Sequence, residues 1–197
     1  MWIPAGCFDN TRVISGGGNA TCIGLWGAAW YNRIMGNVCT TRQYGITVGC
    51  VSLGRPASPH GPSFANTINN NTIAATWRTR TTPFEDKSVG AIGFCSIGDG
   101  VLLEGRLFLG NTITHNTISW TGKWPIRLRR DHGTYVAFNR VSDEHATFYL
   151  DHTTAALFKE NRTMAGALIG RTKTNGPCTF RFLDAPERRP RRDAAGP

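Results

Sequence analysis

Acidic side chains are scarce in this chain: 13 Asp and Glu stand against 22 Lys and Arg, a net charge of +9 over 197 residues. An excess of that sign favours anionic partners. It belongs to the body of the chain, because from Asp184 to Pro197 the arginines Arg188, Arg189, Arg191 and Arg192 are nearly balanced by Asp184, Glu187 and Asp193. No recognised nucleic-acid motif accompanies the charge, so no specific nucleic-acid partner is expected. Long apolar runs are missing as well, which excludes a membrane-spanning helix. The opening Met1-Trp2-Ile3-Pro4 has neither the basic region nor the apolar run of a signal peptide. The cysteines Cys7, Cys22, Cys39, Cys50, Cys95 and Cys178 lack the close pairing of a zinc site. In place of apolar residues spaced three and four apart along a helix, the chain offers short alternating runs. Gly45-Ile46-Thr47-Val48, Ile126-Arg127-Leu128 and Phe148-Tyr149-Leu150 read as strands.

What is present is one asparagine that returns in the same setting, at Asn37, Asn71, Asn116, Asn139 and Asn161. Three residues before it stand Ile34, Ile68, Ile113, Val136 and Phe158, and two after it stand Cys39, Ile73, Ile118, Val141 and Thr163. Asn32, Asn66 and Asn111 add a second asparagine five residues upstream in the first three copies. The intervals are 34, 45, 23 and 22 residues. They fit a period of about 22 residues, in the range of solenoids, if 34 is one period plus an insertion and 45 is two periods. Loop-like insertions near 54–63 (GRPASPHGPS) and 77–88 (WRTRTTPFEDKS) account for the irregularity.

Upstream of the asparagines, Leu103, Ile126 and Phe148 coincide, and Leu128 and Leu150 coincide two residues on. This places one strand per turn, and the other apolar columns place two more. The prediction is an all-β chain, a single-stranded right-handed parallel β-helix over residues 1–183 with three strands per turn, followed by a basic, Pro/Arg-rich disordered tail at 184–197. Asparagine amides at the bends would pair with the equivalent amides one turn away, about 4.8 Å along the axis, and asparagine tolerates the left-handed backbone such bends need. Cys39 falls in an inward column, where a buried thiol is expected. Neither end reads as a cap, so further β-helix turns or a partner chain are expected to cover the ends of what reads as part of a longer coil.

The repeat, Asn-x-Ile-x-x-Asn-x-Ile after a Gly/Pro-Ile-x-Leu strand, resembles the right-handed parallel β-helix repeats of the pectin-lyase-like superfamily over roughly Ile23 to Gly170. The resemblance implies an extracellular or periplasmic protein whose outward strand face handles polysaccharide. Alternation puts Glu104, Arg127 and Tyr149 in one outward column and Arg106, Arg129 and Asp151 in the next, with Asp131, His132 and His152 just beyond. These residue types suit proton abstraction beside a uronate carboxylate. Arg127 or Arg129 would neutralise the carboxylate, His152 would be the base, Tyr149 the acid, and Asp151 would orient a neighbour. Glu104, Arg106, Asp131 and His132 complete the substrate-binding patch. Tyr149-Leu150-Asp151-His152 also resembles the Tyr-Gly-Phe-Asp-Pro-His motif of mannuronan epimerases, two residues shorter and without its glycine and proline.

The expected function is therefore lyase or epimerase action on an acidic polysaccharide. The alternative is a non-catalytic β-helical module that binds glycans or builds a surface or tail structure. No metal site is expected, because His115, His132, His145 and His152 sit at different offsets. No other cofactor is expected either, with calcium held by carboxylates left open.

Overall fold

The computed structural model describes residues 7–9, 12–14, 21–26, 29–41, 44–50, 63–75, 91–94, 108–120 and 124–184. The chain coils as a parallel β-helix, and its strands fall into four parallel sheets. The first sheet stacks β1 (Cys7–Asp9), β4 (Arg33–Met35), β8 (Thr67–Asn69), β12 (Thr112–Thr114), β16 (Tyr135–Ala137), β19 (Ala156–Lys159) and β22 (Phe180–Phe182). The second stacks β2 (Arg12–Ile14), β5 (Val38–Thr41), β9 (Thr72–Ala75), β13 (Thr117–Trp120), β17 (Arg140–Val141) and β20 (Arg162–Thr163). The third stacks β3 (Thr21–Trp26), β6 (Tyr44–Cys50), β10 (Ile92–Phe94), β14 (Ile126–Arg129), β18 (Phe148–Asp151) and β21 (Thr172–Asn175). These are the three expected strands of each turn. A fourth, short sheet of β7 (Ser63–Phe64), β11 (Phe108–Leu109) and β15 (Asp131–His132) fills the corner between the third sheet and the first.

The predicted apolar columns are the core. Ile34, Ile68, Ile113, Val136 and Phe158 stand in register on the first sheet, none more than 1% exposed. Cys39, Ile73, Ile118 and Val141 do the same on the second. Apolar side chains stacked at one pitch bury one another along each column, and each such burial contributes about 1.5–3 kcal/mol.

The asparagines form two internal ladders. In the longer one, Asn37, Asn71, Asn116 and Asn139 each donate Nδ2 to Oδ1 of the next asparagine at 2.9 Å. Asn32 and Asn66 likewise donate to Asn66 and Asn111 at 3.0 Å. Ahead of the longer ladder the backbone is left-handed at Gly36, Asn70, His115, Phe138 and Glu160. For residues with a Cβ that conformation costs about 1–2 kcal/mol, which the ladder bonds offset.

Asn71 bonds directly to Asn116, so the interval of 45 residues is one turn and not two. The extra residues fall on either side of β10, where counting back from an asparagine loses the register. Ile126 accordingly pairs with Ile92, and Leu103 does not take that place. Positions 54–62 and 77–88, and the tail beyond Asp184, lie outside the described residues; Ser63, counted with the first insertion, is a buried strand residue.

Among the described residues the second sheet ends at β20, where the chain reverses. Leu168 bridges back antiparallel to Arg162. The N–H groups of Ile169 and Thr163 donate to the carbonyls of Asn161 and Ala167, each at 2.8 Å. At the neighbouring corner the Glu160 N–H donates to the Asp184 carboxylate.

Cys39 is not a free thiol. It is joined to Cys22 across the interior, with Cα atoms 5.9 Å apart. A column read along the axis shows that a thiol points inward but not which strand faces it. The bond closes a separation of 17 residues, for which the loss of unfolded-chain entropy is about 3 kcal/mol. Urea unfolding of a Cys22→Ala/Cys39→Ala variant should show a loss of about that size, and a midpoint equal to the parent's would mean the bond does not form in solution.

Candidate functional site

The third sheet carries the predicted patch, and its register is explicit. Gly93 pairs with Arg127, Arg127 with Tyr149 and Tyr149 with Lys173; in the next column Arg129 pairs with Asp151 and Asp151 with Asn175. The place beside Arg127 that the repeat assigns to Glu104 is therefore held by Gly93. Glu104 and Arg106 themselves lie outside the described residues.

Asp151 is the centre of the cluster. Its Oδ2 lies 2.9 Å from Arg129 Nε, while Oδ1 lies 2.7 Å from His152 Nδ1 and accepts from Asn175 Nδ2 at 2.9 Å. A carboxylate can only accept, so Nδ1 of His152 is the donor, and in the neutral imidazole Nε2 carries the lone pair. The His152 side chain is 54% exposed, whereas that of Asp151 is 6% exposed. The arrangement is a buried acid orienting an accessible imidazole.

Backbone geometry seats that imidazole. His152 occupies the left-handed corner after β18, in line with Arg130 and Gly176, which are left-handed too. A Cβ on Gly176 would stand 2.5 Å from both Cε1 and Nε2 of His152, so the ring lies against a glycine because nothing larger fits.

Arg127 and Tyr149 face outward as alternation requires, yet both are buried, at 2% and 8% exposure. Trp124 lies over Tyr149 with ring centroids 5.1 Å apart, and the Arg127 guanidinium sits 5.4 Å from the Tyr149 ring centre. Burial, reinforced by the negative charge of Asp151, raises the Tyr149 pKa and keeps its hydroxyl protonated; Arg127 and Arg129 oppose the shift.

Two members of the predicted patch lie elsewhere. Asp131 faces the interior with no exposed surface, so it contacts no substrate. The reason is local: Arg130 is left-handed, and that bend turns the next side chain inward. His132 stays on the outer side of the short sheet, with Nδ1 3.0 Å from Thr154 Oγ1.

Comparison of the chain with protein-family models, curated proteins and solved structures returned no match. Any functional reading therefore stands on the geometry alone. Among the described residues no three His, Cys, Asp or Glu side chains converge as a metal site, and no helix is long and apolar enough to cross a membrane. Sequence reasoning missed Asn175, Gly176 and Trp124. The Asn175-Gly176 dipeptide is a turn signal, but it lies one turn beyond the last readable asparagine.

Proposed function

We propose that this protein is a carbohydrate-active β-helix that abstracts a proton beside the carboxylate of an acidic polysaccharide, as a lyase or a C5-epimerase. The observation that carries the reading is Asp151 holding Arg129, His152 and Asn175 at once, which fixes an exposed imidazole beside cationic groups. In this mechanism His152 Nε2 takes the proton from the carbon next to the uronate carboxylate, and the electron pair moves into that carboxylate. Arg129 and the exposed Lys173 stabilise the added negative charge. In elimination the pair then returns as a double bond while the glycosidic C–O bond breaks, and the leaving oxygen takes a proton from Tyr149 or water. In epimerisation a proton is returned to the same carbon from the opposite face. The resemblance to pectin-lyase-like repeats agrees with this chemistry. The buried disulfide favours an oxidising, extracellular or periplasmic setting.

A second reading has its own observation. Arg127, Tyr149 and Asp151 are buried, and rings and guanidinium groups packed this way also serve a non-catalytic module that only binds glycans. Paired-carboxylate hydrolysis gains no support, since among the described residues Asp151 is the one carboxylate in the cluster.

Incubation with alginate, pectate and glycosaminoglycans should give ultraviolet-absorbing unsaturated ends, or altered uronate stereochemistry by NMR. His152→Ala should cut turnover by about 100-fold or more, and Tyr149→Phe should lower elimination more than binding. Binding without turnover, equal in both variants, would establish the module and discard the enzyme.

A further inference from the structure

The short corner sheet presents a straight outward stripe. Trp30 pairs with Phe64, Phe64 with Leu109, Leu109 with His132 and His132 with Thr154, each one turn further along the axis. Trp30 is 45% exposed, and the other four are partly exposed. Four steps of about 4.8 Å give a stripe of roughly 19 Å. One end is aromatic, with Trp30 and Phe64 stacked at 6.1 Å and Tyr31 edge-on to Phe64 at 5.3 Å. Toward the other end stands His132, one corner away from His152, and Thr154 is the last position.

The border toward the first sheet is low. After Tyr31, the left-handed column beside the stripe continues as Ala65, Gly110, Gly133 and Ala155, and a Cβ at Gly110 or Gly133 would meet nothing within 4 Å. Among the described residues the stripe is therefore an open shelf and not a filled groove. Its opposite border carries Arg130, a cation beside His132.

From this placement we infer that the stripe is an extended subsite on which an acidic glycan lies parallel to the coil axis. Its apolar ring faces rest on Trp30, Phe64 and Leu109, and one residue reaches His132 and the His152 corner. The inference rests on the proposed polysaccharide reading and adds the track and direction of the chain. Three features of the shelf select this occupant. Its step matches one extended sugar residue per turn. Its apolar-to-cationic gradient suits a ring with one hydrophobic face and an anionic substituent. It is also continuous with the imidazole that would act on the chain.

The test is binding of alginate and pectate oligomers of increasing length, followed by calorimetry in the wild type and in Trp30→Ala and Leu109→Ala, with thermal melts confirming that each variant folds. Affinity should climb with length until the oligomer spans the shelf. Trp30→Ala should lower the affinity of the longest oligomers about ten-fold and leave the shortest unchanged, and Leu109→Ala should flatten the climb at an intermediate length. A climb undiminished in both variants, or affinity independent of length, overturns the subsite while leaving the polysaccharide reading intact. Failure to bind any of these oligomers or a glycosaminoglycan overturns both.

Discussion

Asn116→Ala should destabilise the protein by about 3–5 kcal/mol, far more than the loss of one ordinary side-chain hydrogen bond. The Asn116 amide serves four groups at once. Its Oδ1 accepts from the backbone N–H of Asn71 at 3.0 Å and from Asn71 Nδ2 at 2.9 Å. Its Nδ2 donates to the Ile68 carbonyl at 3.0 Å and to Asn139 Oδ1 at 2.9 Å. Alanine would leave two donors on Asn71 and a carbonyl on Ile68 short of partners in a dry interior. Each unsatisfied buried group costs about 1–3 kcal/mol.

Position along the ladder should matter. Asn161 accepts from Asn139 and donates to the Val136 carbonyl, and among the described residues no further asparagine continues the ladder. Asn161→Ala should therefore cost less than Asn116→Ala by about one hydrogen bond, on the order of 1 kcal/mol. Asn70 is the control, since it is exposed, left-handed and outside the ladder; Asn70→Ala should cost only about 1 kcal/mol of backbone strain. Urea midpoints for the three variants decide the matter. If Asn116→Ala and Asn70→Ala unfold together, the amide stack does not hold the coil.

The same bonds explain what could be read from the sequence. Each amide of the longer ladder satisfies equivalent backbone groups in successive turns, which ties asparagine to that bend, whereas the second column keeps asparagine only at Asn32, Asn66 and Asn111. The first and second sheets were legible for that reason, down to the pairing of Ile113 with Val136 and Val136 with Phe158. The third sheet follows connections of unequal length, and residue counting there matched Ile126 to Leu103 although Ile92 is its partner. Within the candidate site, the pairings of Arg127 with Tyr149 and Arg129 with Asp151 were legible because the last intervals carry no insertion. Burial of that face was not. Alternation tells which side of a strand a residue takes, but Trp124 lies outside the repeat and no period announces that it covers Tyr149.

Asp131 carries the second large effect, and it is a dependence of stability on pH. On the inner side of the short sheet it follows Ser63 and Phe108 in register, and Thr134 Oγ1 donates to its carboxyl at 2.6 Å. It lies where the shorter asparagine ladder ends. Asn111 Nδ2 is buried there without a well-formed hydrogen bond, although the Asn111 side chain lies close enough to Asp131 to help lower its pKa. Burial outweighs these bonds and raises the Asp131 pKa from 3.8 to about 7. The groups that bond the carboxyl are the Thr134 hydroxyl and N–H, the His132 backbone N–H and the Asn111 side chain, none of which titrates; the flanking Arg130 and His132 side chains are partly exposed.

The sign follows from the raised value. The folded protein holds the proton more tightly than the unfolded chain, so this contribution is complete below about pH 4 and is lost as pH rises toward and through 7. A shift of that size corresponds to roughly 4 kcal/mol. Asp131→Asn keeps an acceptor for Thr134 and has no charge to bury. Its stability should match the parent within about 1 kcal/mol at pH 4 and exceed it by a few kcal/mol at pH 8. All other titrating groups are common to the two proteins, so the difference between their urea midpoints across that range isolates Asp131. Parallel profiles would show that the carboxyl reaches water or a cation in the folded state. A widening gap would show that the corner carrying His132 is held by a neutral acid, and that it loosens as that acid ionises.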